Sequence, residues 1–123
     1  MILQNQKSTW YDQLKLALFD TDGLEIMKKA IVWYGIKNQL NKCKEECIEL
    51  STAIENYNEP APGYIHRSNT KAVADEIADV FITAIQATKI IGVDAVIERI
   101  NFKLSRLDDR IEGQITVKNE RIQ

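Results

Sequence analysis

At 123 residues the chain is long enough for one domain with a single core, and its apolar fraction of 45% and charged fraction of 28% are typical of a globular protein. Its net charge of −2 provides no basic field for nucleic acid, and no apolar run approaches the roughly 18 residues that a membrane span needs. Residues 1–4 lack a signal-peptide pattern, so we expect a cytoplasmic protein.

The N-terminal part predicts two helices. Ser8 is a candidate cap for a short helix that runs through Phe19, and Thr21 or Asp22 would cap the next helix. We treat residues 1–23 as an N-terminal extension of the main domain. It would act either as a lid on the later helices or as part of a subunit interface.

Three longer helices follow, because apolar residues recur every three or four positions over residues 36–57, 73–91 and 93–111. A loop around Pro60 and Pro62 separates the first two. The segment 68–70 would cap the second helix, Gly92 would end it, and Gly113 would end the third and leave a polar tail over 113–123. No segment shows strand-like alternation, so the predicted fold class is all-α, a bundle of about four to five helices.

The helix over 73–91 is apolar on nearly all sides, because Phe81, Ile82 and Ile85 lie off its main apolar seam. A chain of this length has few elements to cover such a helix. We therefore expect a second subunit to bury it and the protein to be a homo-oligomer. A lid formed by the N-terminal helix is the alternative explanation.

Cys43 and Cys47 fall on the apolar seam of the helix over 36–57. We expect them to be reduced core residues, because no second cysteine pair or histidine cluster accompanies them to form a zinc site. The single histidine, His66, lies near the Pro-rich loop with Tyr64 and Arg67. We expect this histidine to be exposed, and closure of the loop over a ligand is the alternative.

Two acidic pairs are the feature that points to chemistry. Glu46 and Glu49, like Glu76 and Asp79, are three positions apart and therefore lie on one face of a helix. Each pair lies on the same flank of its helix's apolar seam, so antiparallel packing of the two helices would bring the pairs together. Four close carboxylates repel one another unless a cation neutralises them, and oxygen ligands suit Mg²⁺ or Mn²⁺. A solvated acidic helix face is the alternative for either pair alone.

A basic stripe and two aromatic residues are candidates for binding an anionic ligand. Arg99, Lys103, Arg106 and Arg110 recur along one face of the last predicted helix, where they would bind phosphate or simply form a solvated surface. The adjacent aromatic residues Trp33 and Tyr34 would either stack on a base or belong to the core.

The acidic pattern resembles that of the MazG-type nucleoside triphosphate pyrophosphohydrolases, which belong to the all-α NTP pyrophosphatase superfamily. The resemblance rests on Glu45-Glu46-x-x-Glu49 followed by Glu76-x-x-Asp79. It extends over about residues 24–111. It also includes a segment before the first motif, Trp33-Tyr34-Gly35 with Gln39-Leu40, and three polar residues of the last helix, Asn101, Lys103 and Arg106. The MazG-like domain would span residues 24–112.

This resemblance implies a reaction and a set of site residues. Glu46, Glu49, Glu76 and Asp79 would hold Mg²⁺, with Mn²⁺ as an alternative, and Glu45 and Glu46 would act in catalysis. The substrate would be a nucleoside triphosphate, cleaved by water to the monophosphate and pyrophosphate. Its binding residues would be Trp33, Gln39, Asn101, Lys103 and Arg106. The enzyme would be a homodimer or homotetramer that binds neither nucleic acid nor membrane.

Three alternatives remain open from the sequence. A base-specific dUTPase or dCTPase of the same superfamily would carry similar acids. Phosphoribosyl-ATP pyrophosphatase shares the acidic motifs, but the segment 79–82 lacks the histidine that follows its second motif. A non-enzymatic helical oligomerisation module would explain the apolar seams and leave the acids on the surface. A di-iron bundle is excluded, because it needs Glu-x-x-His pairs.

Overall fold

A computed structural model of the chain describes residues 9–59 and 66–122. Within those ranges the chain forms five α-helices and no strand, which confirms the all-α fold class. The helices are α1 (Trp10–Phe19), α2 (Thr21–Tyr34), α3 (Ile36–Asn58), α4 (His66–Ile91) and α5 (Val93–Ile122). The predicted loop around Pro60 and Pro62 and the residue Tyr64 lie outside the described residues, as do the side chains of His66 and Arg67.

The chain divides into two compact units, the first ending at Ala87 and the second beginning at Thr88. The first unit contains α1, α2, α3 and most of α4. The second contains the last turn of α4 and the whole of α5. The acidic residues that the sequence predicts as metal ligands all belong to the first unit.

The start of α1 is fixed by a capping box. The Thr9 hydroxyl oxygen accepts a hydrogen bond from the Asp12 backbone N–H, and the Asp12 carboxylate accepts one from the Thr9 N–H at 3.2 Å. The cap is therefore Thr9, and the prediction of Ser8 was wrong by one residue. α2 begins at Thr21, so the two predicted capping residues, Thr21 and Asp22, lie inside the helix, and that prediction was wrong.

Two glycines with positive φ mark the joints between long helices. Gly35, at φ 93°, separates α2 from α3, and its N–H donates to the Ile31 carbonyl at 2.9 Å. Gly92, at φ 134°, follows α4, and its N–H donates to the Thr88 carbonyl at 2.9 Å. The second glycine confirms the predicted end of the helix, because its backbone adopts a conformation that other residues rarely reach.

Two predicted boundaries are wrong. α4 begins at His66, so Ser68, Asn69 and Thr70 lie inside the helix instead of capping it. α5 continues through Gly113 to Ile122, so the segment that follows this glycine is helical. A glycine typically ends a helix by adopting a positive φ, and Gly113 does not do so. It therefore only lowers the stability of the helix slightly relative to alanine.

The buried side chains of the described residues are mostly polar. Met27 is the buried apolar residue, whereas Gln39, Glu46, Asn69, Thr83 and Gln86 are the buried polar ones. The predicted apolar seams are largely exposed, as shown by the exposed fractions of 58% for Ile36 and 65% for Ile91. These seams, which were expected to pack within a bundle, are therefore at most half-buried among the described residues.

The cysteines and aromatic residues follow the same trend. Both cysteines are free thiols, but Cys47 is exposed and Cys43 is only half-buried, so the core assignment fails for Cys47. Trp33 is 81% exposed, and Tyr34 is exposed as well, which rules out the core alternative for this aromatic pair.

Within the described residues, no single helix is long and apolar enough to cross a bilayer. The successive helical segments 69–91 and 93–121 reach a sufficient length and apolar content only when they are taken together.

Candidate metal centre

Two hydrogen bonds set the register in which α3 and α4 pack. Gln39 Nε2 donates to Gln86 Oε1 at 2.9 Å, and Asn69 Nδ2 donates to the Asn56 carbonyl at 3.1 Å. Asn56 follows Gln39 along α3. Their partners on α4 come in the reverse order, because Asn69 precedes Gln86 by the same number of residues. The helices are therefore antiparallel, which is the arrangement that the meeting of the acidic pairs required, and polar side chains connect α3 with α4.

The acidic pairs lie between these two contacts. Glu46, Glu49 and Glu76 each offer one carboxylate oxygen, and these three oxygens all lie within 4.8 Å of one another. Two ligands on opposite sides of Mg²⁺ are about 4.2 Å apart, so small side-chain adjustments would let these oxygens share one ion. The predicted meeting of the two acidic pairs is confirmed for these three residues.

Two oxygens of the cluster are buried without a partner. Glu46 is only 4% exposed, and its Oε2 atom finds no hydrogen-bond donor among the described residues. Glu76 is half-buried, and its Oε2 atom is likewise buried and unpaired. A buried carboxylate oxygen without a donor is costly, so this pair of oxygens is what a divalent cation would satisfy.

Asp79 is the fourth predicted ligand, and it lies at the edge of the cluster. Its carboxyl interacts with that of Glu46, while its own side chain is exposed. Partial burial raises the pKa of Asp79, and the nearby negative charge of Glu46 raises it further. Asp79 is therefore adjacent to the cluster without belonging to its closest group of three oxygens.

The negative charge on Glu76 is unfavourable in this environment. Burial raises the pKa of its carboxyl, and the neighbouring carboxylates of Glu49, Asp79 and Glu46 raise it further. Like charges at this separation favour retention of a proton unless a cation is bound. A cation near these carboxylates would lower that repulsion.

Glu46 behaves differently because it has a basic neighbour. Lys42 Nζ lies 2.9 Å from Glu46 Oε1, one helical turn away on α3, and this hydrogen bond lowers the pKa of the Glu46 carboxyl. Lys42 was not among the residues predicted for the site from the sequence. Its spacing of four residues from the buried glutamate was the signal that would have predicted the pair.

A cavity of about 640 Å³ adjoins the cluster. Glu46 and Asp79 belong to its wall, as does Glu45, one of the two predicted catalytic acids. The remaining lining residues come from α2, α3 and α4, and most are polar: Ala30, Tyr34, Asn38, Gln39, Asn41, Lys42, Ile82, Thr83 and Gln86. The wall therefore combines anionic, cationic and amide groups within one recess.

A chain of amides holds one side of this cavity in a defined orientation. Gln86 Nε2 donates to the Met27 carbonyl of α2 at 3.0 Å, and a carbonyl can only accept. The Gln86 oxygen must therefore face Gln39 and accept from its Nε2. Gln39 is a predicted substrate-binding residue. Because its Nε2 donates to Gln86, its side-chain oxygen is the atom that could accept a hydrogen bond from a ligand.

The other predicted substrate-binding residues lie elsewhere. Trp33 lines a separate, shallower recess of about 260 Å³ on α2, which shares Ala30 and Tyr34 with the main cavity. Asn101, Lys103 and Arg106 are exposed residues of α5, in the second unit.

Part of the basic stripe has local partners. The guanidinium groups of Arg99 and Arg106 lie 4.5 and 5.7 Å from the centroid of the Phe102 ring, at distances typical of cation–π contacts.

Several residues that line the cavity were not identified from the sequence, above all Gln86. A glutamine within the mostly apolar stretch 80–91 is itself unusual, and that exception was the signal that would have found it. Asn38 and Asn41 offered no comparable signal, because amides are common on exposed helix surfaces.

Comparisons with protein-family models, with curated proteins and with solved structures give no match for this chain.

Proposed function

We propose that the protein is a divalent-metal-dependent nucleoside triphosphate pyrophosphohydrolase, which converts a nucleoside triphosphate and water to the monophosphate and pyrophosphate. The observation that carries this proposal is the acidic cluster of Glu46, Glu49 and Glu76, with its two buried, unpaired oxygens. The adjoining cavity of about 640 Å³ supports it, because small-ligand sites commonly have volumes of about 300–1,000 Å³. The resemblance of the acidic motif supplies the choice of reaction.

The acids divide into distinct roles in this proposal. Glu46, Glu49 and Glu76 would hold the metal, and Asp79 would complete its ligands from the edge of the cluster. Mg²⁺ or Mn²⁺, when bound, would neutralise phosphate charge and lower the pKa of a bound water. Glu45 lines the cavity next to Glu46 in the chain, where it would orient the attacking water or accept its proton.

The nucleotide would be bound mainly by groups already fixed in the cavity. The Gln39 oxygen would accept a hydrogen bond from the base, since the amide chain through Gln86 prevents the side chain from turning. Trp33 would stack against the substrate. The resemblance also implies a substrate-binding role for the polar residues of α5, Asn101, Lys103 and Arg106.

A homo-oligomer is the second part of the proposal. The first unit buries polar residues and exposes apolar ones, including Ile48 at 59%, Ile77 at 40% and Phe81 at 40%. Exposed apolar side chains in such number are typical of surfaces that bind another chain. We propose that a second copy covers them and that the active form is a homodimer or homotetramer.

The same exposure favours one alternative function, a helical oligomerisation module without catalytic activity. In that case the acids would be an incidental feature of the α3–α4 contact. A base-specific dUTPase or dCTPase is a narrower version of the main proposal, because the same acids would serve it.

A substrate panel tests the proposal. Each of the common NTPs and dNTPs is incubated with the protein and Mg²⁺, and released pyrophosphate and phosphate are measured separately. We expect pyrophosphate from at least one nucleotide, lost in Glu49→Ala and Asp79→Ala but retained in Glu55→Ala, which changes an exposed acid on α3. Absence of turnover on every nucleotide would support the oligomerisation module instead, and turnover that persists in Glu49→Ala would refute the site.

A further inference from the structure

The ion pair between Lys42 and Glu46 involves one member of the acidic cluster. Lys42 Nζ is 2.9 Å from Glu46 Oε1, while Oε2 of the same carboxylate is buried and has no donor among the described residues. Glu46 itself is 96% buried, since its exposed fraction is 4%. One of its oxygens is thus neutralised by the protein's own ammonium, and the other is left for an external ligand.

The single positive charge of Lys42 does not balance the negative charges of the acidic cluster. Glu46, Glu49 and Glu76 lie together, with Asp79 at their edge, and Lys42 is the cationic residue among those described that line the cavity. Its hydrogen bond is made to Glu46, so the carboxylates of Glu49 and Glu76 are left close together without that contact. A divalent ion at the cluster would satisfy more of the acids, but it would repel an ammonium held on one of its own ligands.

We propose that Lys42 is a displaceable counter-ion: a divalent cation takes its place on Glu46, and the released ammonium then binds the phosphates of the substrate in the adjoining cavity. The proposal rests on the proposed function, because it assumes that the acidic cluster binds a metal. It adds a residue that is neither a metal ligand nor one of the substrate-binding residues implied by the acidic motif.

The geometry allows this exchange. The Lys42 side chain is 53% exposed, so its flexible four-carbon stem can leave Glu46 without disturbing packed neighbours. Lys42 also lines the cavity. Its ammonium, once released from Glu46, would therefore face the recess that an anionic ligand would enter. A lysine on that wall would attract phosphate as a point charge.

Titration calorimetry with Mn²⁺ alone tests the first step. In Lys42→Gln no ammonium competes for Glu46, so we expect Mn²⁺ to bind about three- to tenfold more tightly than to the parent protein. Lys42→Arg keeps the charge and should bind no more tightly than the parent.

Lys71→Gln is the matched control for this titration. Lys71 forms an ion pair of the same helical spacing with exposed Asp75, at 3.0 Å, and that acid is not part of the cluster. Its loss should leave the Mn²⁺ affinity unchanged. Circular dichroism of each variant establishes that the helices are retained.

Inorganic tripolyphosphate tests the second step without catalysis. With the metal site saturated by Mn²⁺, tripolyphosphate should bind about five- to tenfold more weakly to Lys42→Gln than to the parent or to Lys71→Gln. An unchanged affinity would overturn the phosphate role.

The two proposals fail separately. Parent protein that binds no Mn²⁺ would overturn the metal site and the exchange together. Parent protein that binds Mn²⁺ with the same affinity as Lys42→Gln would overturn only the exchange, and would leave the proposed hydrolase intact.

Discussion

Gln39 and Gln86 are joined by a buried hydrogen bond of 2.9 Å that connects α3 with α4, and Gln86 in turn donates to the Met27 carbonyl of α2. Three helices are thus held by one pair of amides. Because a backbone carbonyl can only accept, this contact determines which end of each amide faces which neighbour. The acidic cluster lies on the same α3–α4 interface, so the amides also fix the register on which the cluster depends.

The first prediction concerns the stability of this amide pair. Gln86→Leu removes the partner of two buried groups, the Gln39 amide and the Met27 carbonyl. We expect the free energy of unfolding to fall by about 1–3 kcal/mol, since an unpaired buried polar group retains its desolvation cost. Urea denaturation measures the change. Gln13→Leu on the exposed surface of α1 is the control, and an equal effect of the two substitutions would show that the amide pair is not stabilising.

The second prediction concerns the trade between stability and metal binding. Glu76→Gln removes one negative charge from the cluster and keeps the shape of the side chain. In the absence of metal we expect this variant to melt a few degrees higher than the parent, because like-charge repulsion falls. With Mn²⁺ the parent should be stabilised and the variant should not. Thermal denaturation with and without the ion measures both effects.

A control for this comparison is Glu55→Gln, which neutralises an exposed acid on α3 away from the cluster. Its melting temperature should respond to Mn²⁺ as that of the parent does. Equal stabilisation of Glu76→Gln and the parent by Mn²⁺ would remove Glu76 from the metal site.

The third prediction concerns pH. The pKa values of Glu76 and Asp79 are raised in the folded protein by burial and by nearby carboxylates, so the folded state holds their protons more tightly than the unfolded state does. Their contribution to stability is therefore greatest below the unfolded pKa values, near pH 4, and is lost as the pH rises through the folded ones. Glu46 has the opposite sign, because its pKa is lowered by Lys42.

The double variant Glu76→Gln/Asp79→Asn should accordingly lose less stability, or gain more, than the metal-free parent as the pH rises from about 4 towards neutrality, because it lacks the two groups whose contribution is lost. Saturating Mn²⁺ should reduce the loss in the parent protein, because the cation replaces the protons. Melting temperatures across this pH range test the sign. A parent and a double variant with parallel pH profiles would contradict it.

The acidic pairs show how far the sequence could lead. The equal spacing of Glu46–Glu49 and Glu76–Asp79, and their matching flanks, predicted correctly that the pairs meet when α3 and α4 run antiparallel. Such geometry follows from helical periodicity alone. The partition of the acids did not follow, because which oxygen is buried depends on side-chain packing between helices, and Asp79 proved to lie at the edge.

The interior could not be predicted in the same way. Apolar periodicity assumes that a helix turns its apolar side towards the core of its own chain. In α3 the buried residues are Gln39 and Glu46, while Ile36 and Ile48 are exposed. The prediction failed because a sequence does not state which face meets its own neighbours, and a polar face can pair internally when each amide finds a partner.

The fourth prediction follows from that exposure. The protein should be a homo-oligomer at micromolar concentration, with the apolar face of α4 that carries Ile77 and Phe81 in the interface, because a stable interface buries about 1,000 Å² or more. In Ile77→Gln/Phe81→Gln this face gains two amides that would lose water on association, so the mass measured by size-exclusion chromatography with light scattering should fall towards that of the monomer. Leu16→Gln on α1 is the control, since it removes an exposed apolar side chain from another helix and should leave the mass unchanged. A parent protein that is already monomeric would contradict the interface, and so would a double variant that keeps the parent mass with its helices intact.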